Sequence, residues 1–338
     1  MFLKFKIFVL FVVFSVTICG CKQAPQEYKI EGNALGTTYH ITYLNSSEID
    51  SFSTKVDSII FAVNHGLSTY QTNSLITAFN TNTNTIWNDP EEAKHFLNDM
   101  QHFVEMISLS KSISNETAGA FDPSAAQLFS IYDKAKKEQV LMDEQEVASA
   151  LSHQGMHKIV YDNNGFPNKK DSLLTLNFNA IAKGYLVDLI AGYIETKGLT
   201  NYLVEVGGEM RVKGKNFNKE SWSVGINVPL TEANPKDYFK VLELENVAVA
   251  TSGNYQNFYT VDGEIIGHTL DPRSGLPVLT NLKSATILSD YCAVADAYAT
   301  ASMVLGLKEA LKIIEQDSAL SAYFIYEEDD ELKGIFVD

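Results

Sequence analysis

The sequence predicts an α+β protein with mixed, largely antiparallel sheets and packed helices. Two observations carry this. Segments with helical spacing fall mostly before residue 200, and segments with strand-like alternation mostly after it, so the regular βαβ succession of a doubly wound parallel sheet is absent. The 338 residues are also 45% hydrophobic, enough for a large core. No internal repeat, low-complexity run or linker divides the chain, and residues 29–338 are read as one domain.

The first residues read differently from the rest. Lys4 and Lys6 precede an apolar run from Ile7 to Ile18, the layout of a signal peptide over residues 1–20. The run ends in "ICGC", and Gly20 before Cys21 resembles the lipobox of bacterial lipoproteins, in which the signal is cut before the cysteine and that cysteine is lipidated. The other readings are an ordinary secretory signal or a retained anchor. On the lipobox reading, residues 21–28 are a polar tether and the protein is a membrane lipoprotein facing the periplasm or cell exterior.

Downstream, "TTYHITYL" (37–44) alternates as a strand. Ile49, Phe52, Val56, Ile59, Ile60, Val63 and Leu67 have helical spacing, and a second helix is expected over 91–113. "TAGAFDPSAA" (117–126) is a loop followed by another helix. Asp143 with Glu146 gives a capping-box pattern before "VASAL". "NNG" (163–165) turns between two strands, and a helix from about 180 to 197 stops at Gly198. "NYLVEV", "WSVGINV", "VLELENVAVA" and "NFYTVDGEIIGH" read as strands, the last a hairpin over Asp262-Gly263. A strand near 283–288, a helix around "VADAYATASM" (294–303) and two strands complete the chain.

Charge excludes one class of partner. The formal net charge is −16, and it becomes −18 once the two lysines of residues 1–20 are removed. So acidic a chain repels phosphate backbones, and nucleic acid is not its partner. Any phosphate it binds must be held locally or through a metal. After cleavage only Cys21 and Cys292 remain, so a lipid on Cys21 leaves no intrachain disulfide.

Dinucleotide-fold, zincin and hydrolase-triad motifs are missing, and "GNALGTT" (32–38) lacks the lysine of a phosphate loop. Three stretches stand out. In "VADAYATASM", Asp296 and Thr300 are four apart and share one face of an apolar helix. Asp296 could cap the helix and Thr300 back-bond to a carbonyl; alternatively the pair suits Mg²⁺, which uses few carboxylates and completes its shell with water and substrate phosphate. In "NAIAKGYLVD" (179–188), Lys183 stands near a helix start, either snorkelling over the core or serving an anion site. In "GHTLDPRSGLP" (267–277), His268, Asp271 and Arg273 flank a tight turn, which either is only a turn or places His268 for general acid–base work.

In order and spacing these stretches resemble the ApbE flavin transferases. "GNALGTTYHI", "GLSTYQTNSLITAFN", "TAGAFDPS", "NAIAKGYLVD", "VEVGGEMRVKG", "ATSGNY", "HTLDPRSGLP" and "ADAYATA" follow the family's order over nearly the whole chain after the signal. The resemblance implies an ApbE-like core related to the T-fold. It implies Mg²⁺-dependent transfer of the FMN half of FAD to a threonine or serine of a target protein, with a phosphoester formed and AMP released. By position it makes Asp296, Thr300 and the Ala180 carbonyl metal ligands. It puts Leu35, Tyr70, Ala120, Phe121, Asp122, Asn177, Lys183 and Leu270 at FAD. His268 becomes the proton acceptor, with Asp271 as the second catalytic candidate. The acceptor would be another flavoprotein, such as a subunit of a membrane redox complex. Asn177 stands where the family usually has an acid, Asn179 where a small residue is common, and Leu35 where methionine is frequent. The rival readings are an FAD pyrophosphatase and a non-catalytic FAD-binding lipoprotein.

Overall fold

The computed structural model describes residues 24–83, 90–234, 236–254, 258–261 and 263–338, with backbone alone for 90–98, 264 and 265. The signal peptide, Cys21, the first tether residues and Asp262 lie outside the described residues.

A hairpin of β1 (Gln26–Ala34) and β2 (Thr37–Asn45) opens the fold. Helices α1 (Phe52–Leu67), α2 (Leu75–Thr81), α3 (Pro90–Glu116), α4 (Ala126–Glu138) and α5 (Glu144–His153) follow. A small ladder of β3 (Ile159–Tyr161) and β4 (Pro167–Lys169) leads to α6 (Ala182–Thr196). The second half comprises β5 (Tyr202–Val206), β6 (Glu209–Lys213), β7 (Trp222–Asn227), β8 (Tyr238–Leu244), β9 (Val247–Gly253), β10 (Phe258–Val261), β11 (Glu264–Gly267) and β12 (Leu282–Ser289). Helix α7 (Cys292–Gln316), β13 (Ser321–Glu328) and β14 (Glu331–Val337) close it.

Eight strands form one sheet in the order β1-β2-β5-β6-β9-β12-β13-β14, and every neighbouring pair is antiparallel. One face carries the helices, where Ile41, Tyr43, Val204 and Ile287 of the strands share a core with Val56, Phe103, Ile190 and Ala299. The other face is partly covered by the β7–β8 ribbon, whose Trp222, Val224 and Leu242 pack over Val212, Val249 and Ile325. Strand β12, covered on both faces, is therefore buried almost throughout, whereas β7 alternates buried and exposed. A satellite core joins α4 and α5 to the β10–β11 hairpin through Leu128, Tyr132, Val147, Tyr259 and Leu270.

The α+β expectation holds, and so do most elements. Asp143 caps α5 by accepting the N–H groups of Gln145 and Glu146, both at 2.9 Å. Gly198 follows α6 with φ 76°, the left-handed conformation glycine adopts cheaply. Three readings are corrected. "VLELENVAVA" is two strands, because Asn246 takes φ 55° and sends β8 to the ribbon and β9 to the main sheet. Residues 26–28, expected as tether, are already strand β1. Ile49, read with the first helical stripe, precedes α1, which begins at Phe52; the short helix α2 had no expectation.

Candidate active site

Asp296 is the fifth residue of α7 and only 3% exposed, so it does not cap its own helix. Its Oδ2 instead accepts the N–H of Gly184 at 3.1 Å. Gly184 is the third residue of α6, where a backbone N–H has no partner within its helix. The approach needs glycine: a Cβ there would stand 2.4 Å from the Cys292 carbonyl oxygen. The arrangement is reciprocal. Asp188 of α6 accepts the N–H groups of Cys292 and Ala293, at the start of α7, both at 2.9 Å. Each helix thus donates a carboxylate to the positive end of the other. Thr300, one turn after Asp296, lies with its Oγ1 3.4 Å from the Ser252 hydroxyl of β9.

Lys183 precedes Gly184, and its ammonium pairs with Glu209 Oε1. Glu209 is the first residue of β6, directly after the Gly207-Gly208 turn, and is 4% exposed. Its Oε2 is buried and makes no hydrogen bond within the described residues. Burial, and then the charge of Asp296, push the Glu209 carboxyl up to about 8 in spite of Lys183. Burial also raises Asp296, against the opposing effect of Lys183. Burial alone would lower Lys183, but Asp296 and Glu209 outweigh it and hold the ammonium above its usual range. With both carboxyls ionised the cluster would be short of positive charge, which is why Glu209 holds its proton to about 8, and with Thr300 beside it the donor set is hard oxygen. That fits Mg²⁺ with one or two carboxylates. Among the described residues no three acidic, histidine or cysteine side chains converge, so an all-protein cage is not formed.

Lys183 also lines a cleft of about 570 Å³, together with Leu35, Tyr70, Asn179 and Ala182. Leu35 and Gly36 are the two-residue loop of the β1–β2 hairpin, at φ 49° and 79°. A primed turn requires positive φ at both places, and a leucine there is strained by about 1 kcal/mol or more. Tyr70 is 85% exposed, leaving its ring available for stacking. The cleft is thus lined by an aromatic ring and by a lysine at the start of α6, a natural phosphate position.

Asn177 connects this cleft to the "AFDPS" loop. Its backbone N–H donates to the Pro123 carbonyl, and its Oδ1 accepts the Asn179 N–H at 2.8 Å. That acceptor role needs no charge, which explains how an amide serves here. Asp122 receives both the N–H and the hydroxyl of Ser124, yet burial still raises its carboxyl. Ala120, Phe121 and Leu270 are buried: the first two join the main core and Leu270 the satellite core. Asp271 is gripped by the Arg273 guanidinium through two contacts of 2.8 Å. Burial would raise this carboxyl, but the Arg273 hydrogen bonds prevail and hold it low, which makes it a weak proton acceptor. His268, half-buried, stands just ahead of the same turn.

Residues 35–324 match the family model described as the ApbE family. The chain belongs to the ApbE family. Curated relatives within it include the FAD:protein FMN transferase of Haemophilus influenzae, 28% identical over 335 residues, covering 95% of this chain and 93% of that one. The Vibrio cholerae FAD:protein FMN transferase is 28% identical over 322 residues, covering 94% and 92%. The solved structure of the flavin transferase ApbE from Vibrio cholerae superposes with a TM-score of 0.77 at 25% identity, covering 93% of this chain and 98% of that one. The apo flavinyl transferase ApbE of Pseudomonas stutzeri gives 0.76 at 25%, covering 93% and 96%. The fold is therefore that of ApbE proteins, and Lys183, Asn179, Leu35 and Tyr70 share one cleft in it. Glu209 went unselected in the sequence. The only signal was an acid at an inward strand position after two glycines; its pairing with Lys183, 26 residues earlier, is purely tertiary.

Proposed function

We infer that this ApbE-family chain is an FMN transferase: it moves the FMN half of FAD onto a threonine or serine hydroxyl of another protein and releases AMP. The observation that supports it most is the buried Lys183–Glu209–Asp296 cluster opening, through Lys183, on a cleft with an exposed tyrosine. Tyr70 offers its ring to a planar ring system, and Lys183 with the start of α6 receives the pyrophosphate. His268 takes the proton of the attacking hydroxyl. The new oxygen–phosphorus bond forms at the FMN phosphorus, and the bond to the AMP phosphate breaks, with AMP leaving. Asp296, Thr300 and the Ala180 carbonyl would hold Mg²⁺, with Glu209 balancing charge beside them; the ion, when bound, supplies charge neutralisation on the pyrophosphate. This also accounts for a dinucleotide substrate on so acidic a protein.

The lipobox-like "ICGC" supports a lipid on Cys21 and an outward-facing membrane location, with an exported or membrane-bound flavoprotein as acceptor. No described helix is long and apolar enough to cross a membrane. The deciding experiment is AMP release from FAD and Mg²⁺ with and without an acceptor protein. Release only with acceptor supports transfer. Release without it means a pyrophosphatase, and no release means a binding protein.

A further inference from the structure

Lys183 reaches the cleft, but what holds it there comes from another part of the chain. Its side chain is 29% exposed and lines the cleft, whereas the side chain of its partner Glu209 is 5% exposed. Glu209 starts β6 directly after the two-residue loop Gly207-Gly208, with φ 60° and 103°. That loop is tied down twice. The Gly207 N–H donates to the Thr38 carbonyl at 3.0 Å, and the Gly208 N–H to Glu205 Oε1 at 2.6 Å. The lysine stem passes against the loop: a Cβ on Gly207 would stand 3.2 Å from Lys183 Cδ and 2.7 Å from Thr37 Cγ2. So Gly207 bears the stem and Glu209 the ammonium. Glu209 also differs from the structural acids nearby. Asp188 spends both oxygens on α7 N–H groups and Arg211, and Glu205 spends both on Gly208 and His40. Glu209 leaves Oε2 buried without a partner, a cost that packing alone does not explain.

We propose that Glu209 is a positioning residue: with the Gly207-Gly208 loop it holds the Lys183 ammonium at the cleft wall, where the pyrophosphate of FAD meets it. This rests on the transferase reading, in which Lys183 receives the pyrophosphate. A lysine is a point charge on a flexible four-carbon stem, so it has to be aimed from outside. Asp296 attracts the same ammonium, yet the contact that Lys183 makes is with Glu209. Glu209 thereby keeps the lysine off Asp296 and leaves that carboxylate to the metal site proposed above. Its effect on FAD runs through Lys183 alone, since Glu209 is not among the residues lining the cleft.

The test uses the full chain in EDTA, so that no metal contributes. It reads the binding of FAD and of riboflavin, which has the same ring system and no phosphate. Glu209→Ala should weaken FAD binding about tenfold, the order expected for losing one charge-assisted hydrogen bond. Riboflavin affinity should hold, which also reports that the variant is folded. Glu209→Gln keeps an oxygen for the ammonium and should recover most of the loss. In a Lys183→Met background, Glu209→Ala should weaken FAD no further. A glutamate that only balanced charge gives the opposite sign, because removing its negative charge tightens FAD. Tighter or unchanged FAD binding in Glu209→Ala, or an equal loss in both backgrounds, would overturn the positioning role while AMP transfer still stands or falls on its own assay. If Lys183→Met itself leaves FAD affinity unchanged, Lys183 does not meet the phosphates, and the positioning role falls with that part of the transferase reading.

Discussion

Asp188 and Asp296 lie on two packed helices, and each carboxylate receives backbone N–H groups from the first turn of the other's helix. The two are not equivalent. Asp188 has both oxygens on backbone donors of α7 and is further paired with Arg211 at 3.1 Å, so its work is structural. Asp296 has its Oδ2 on Gly184 and shares its field with Lys183 and Glu209. Asp188→Ala should therefore cost about 1–3 kcal/mol of stability through orphaned N–H groups, with the Mg²⁺ requirement of the folded fraction little changed. On the proposed metal site, Asp296→Ala should raise the Mg²⁺ concentration needed for half-maximal AMP release at least tenfold, and more than Thr300→Ala, which on the same reading removes a neutral ligand. Mg²⁺ titrations beside melting curves check this; equal Mg²⁺ responses in Asp188→Ala and Asp296→Ala would make Asp296 a capping residue only.

The Glu209 carboxyl gives a pH signature. Its pKa is raised from 4.5 to about 8 in the folded protein, first by burial. Between those values the folded state keeps a proton that the unfolded chain has released. Stability is then full below about 4.5 and declines as pH rises toward 8. Asp296, also raised by burial, acts in the same direction. With EDTA present, the melting temperature should fall across this window, and Glu209→Gln should flatten much of the fall. Adding Mg²⁺ should restore stability at the alkaline end. A slope identical in wild type and Glu209→Gln would remove Glu209 from the account.

Legibility of the fold followed the coverage of each element. Strands packed on one face alternate and were readable, as in β2 and β7, and helices with an apolar stripe, such as α1, were too. The boundary between β8 and β9 was not, because the turn is made by Glu245 and a left-handed Asn246 with no glycine or proline to mark it. Strand β1 hid because its sequence, "QEYKIEGNA", is polar over most of its exposed edge. At the site, Asp296, Thr300 and Lys183 were visible as polar intrusions in apolar helices. Glu209 was not, since a strand glutamate looks like a solvated one until Lys183 is folded against it.

The lipobox reading makes a prediction about processing. Cys21→Ser should leave an uncleaved precursor or a soluble protein, checked by mass spectrometry of the N-terminus and by fractionation. Because β1 begins at Gln26, five residues from Cys21, a lipidated chain holds its sheet edge within about 18 Å of the membrane surface. Normal cleavage and membrane attachment of the serine variant would end this reading.

The turn beside His268 separates a chemical role from a structural one. Asp271 is already committed: its Oδ1 accepts the Arg273 backbone N–H as well as Nε, and Oδ2 accepts from the guanidinium. Asp271→Asn should loosen the turn and lower the melting temperature by about 2–4 °C, with single-turnover AMP release within a fewfold of wild type. His268→Ala should do the reverse. Loss of a general base costs typically ~10²–10⁴-fold, so single-turnover release in the presence of acceptor should drop by that order while FAD affinity and melting temperature hold. Measuring FAD binding, melting and single-turnover release on the same preparations of both variants decides between the two residues. A normal rate in His268→Ala, with a large loss in Asp271→Asn at unchanged stability, would transfer the proton to Asp271 despite its arginine.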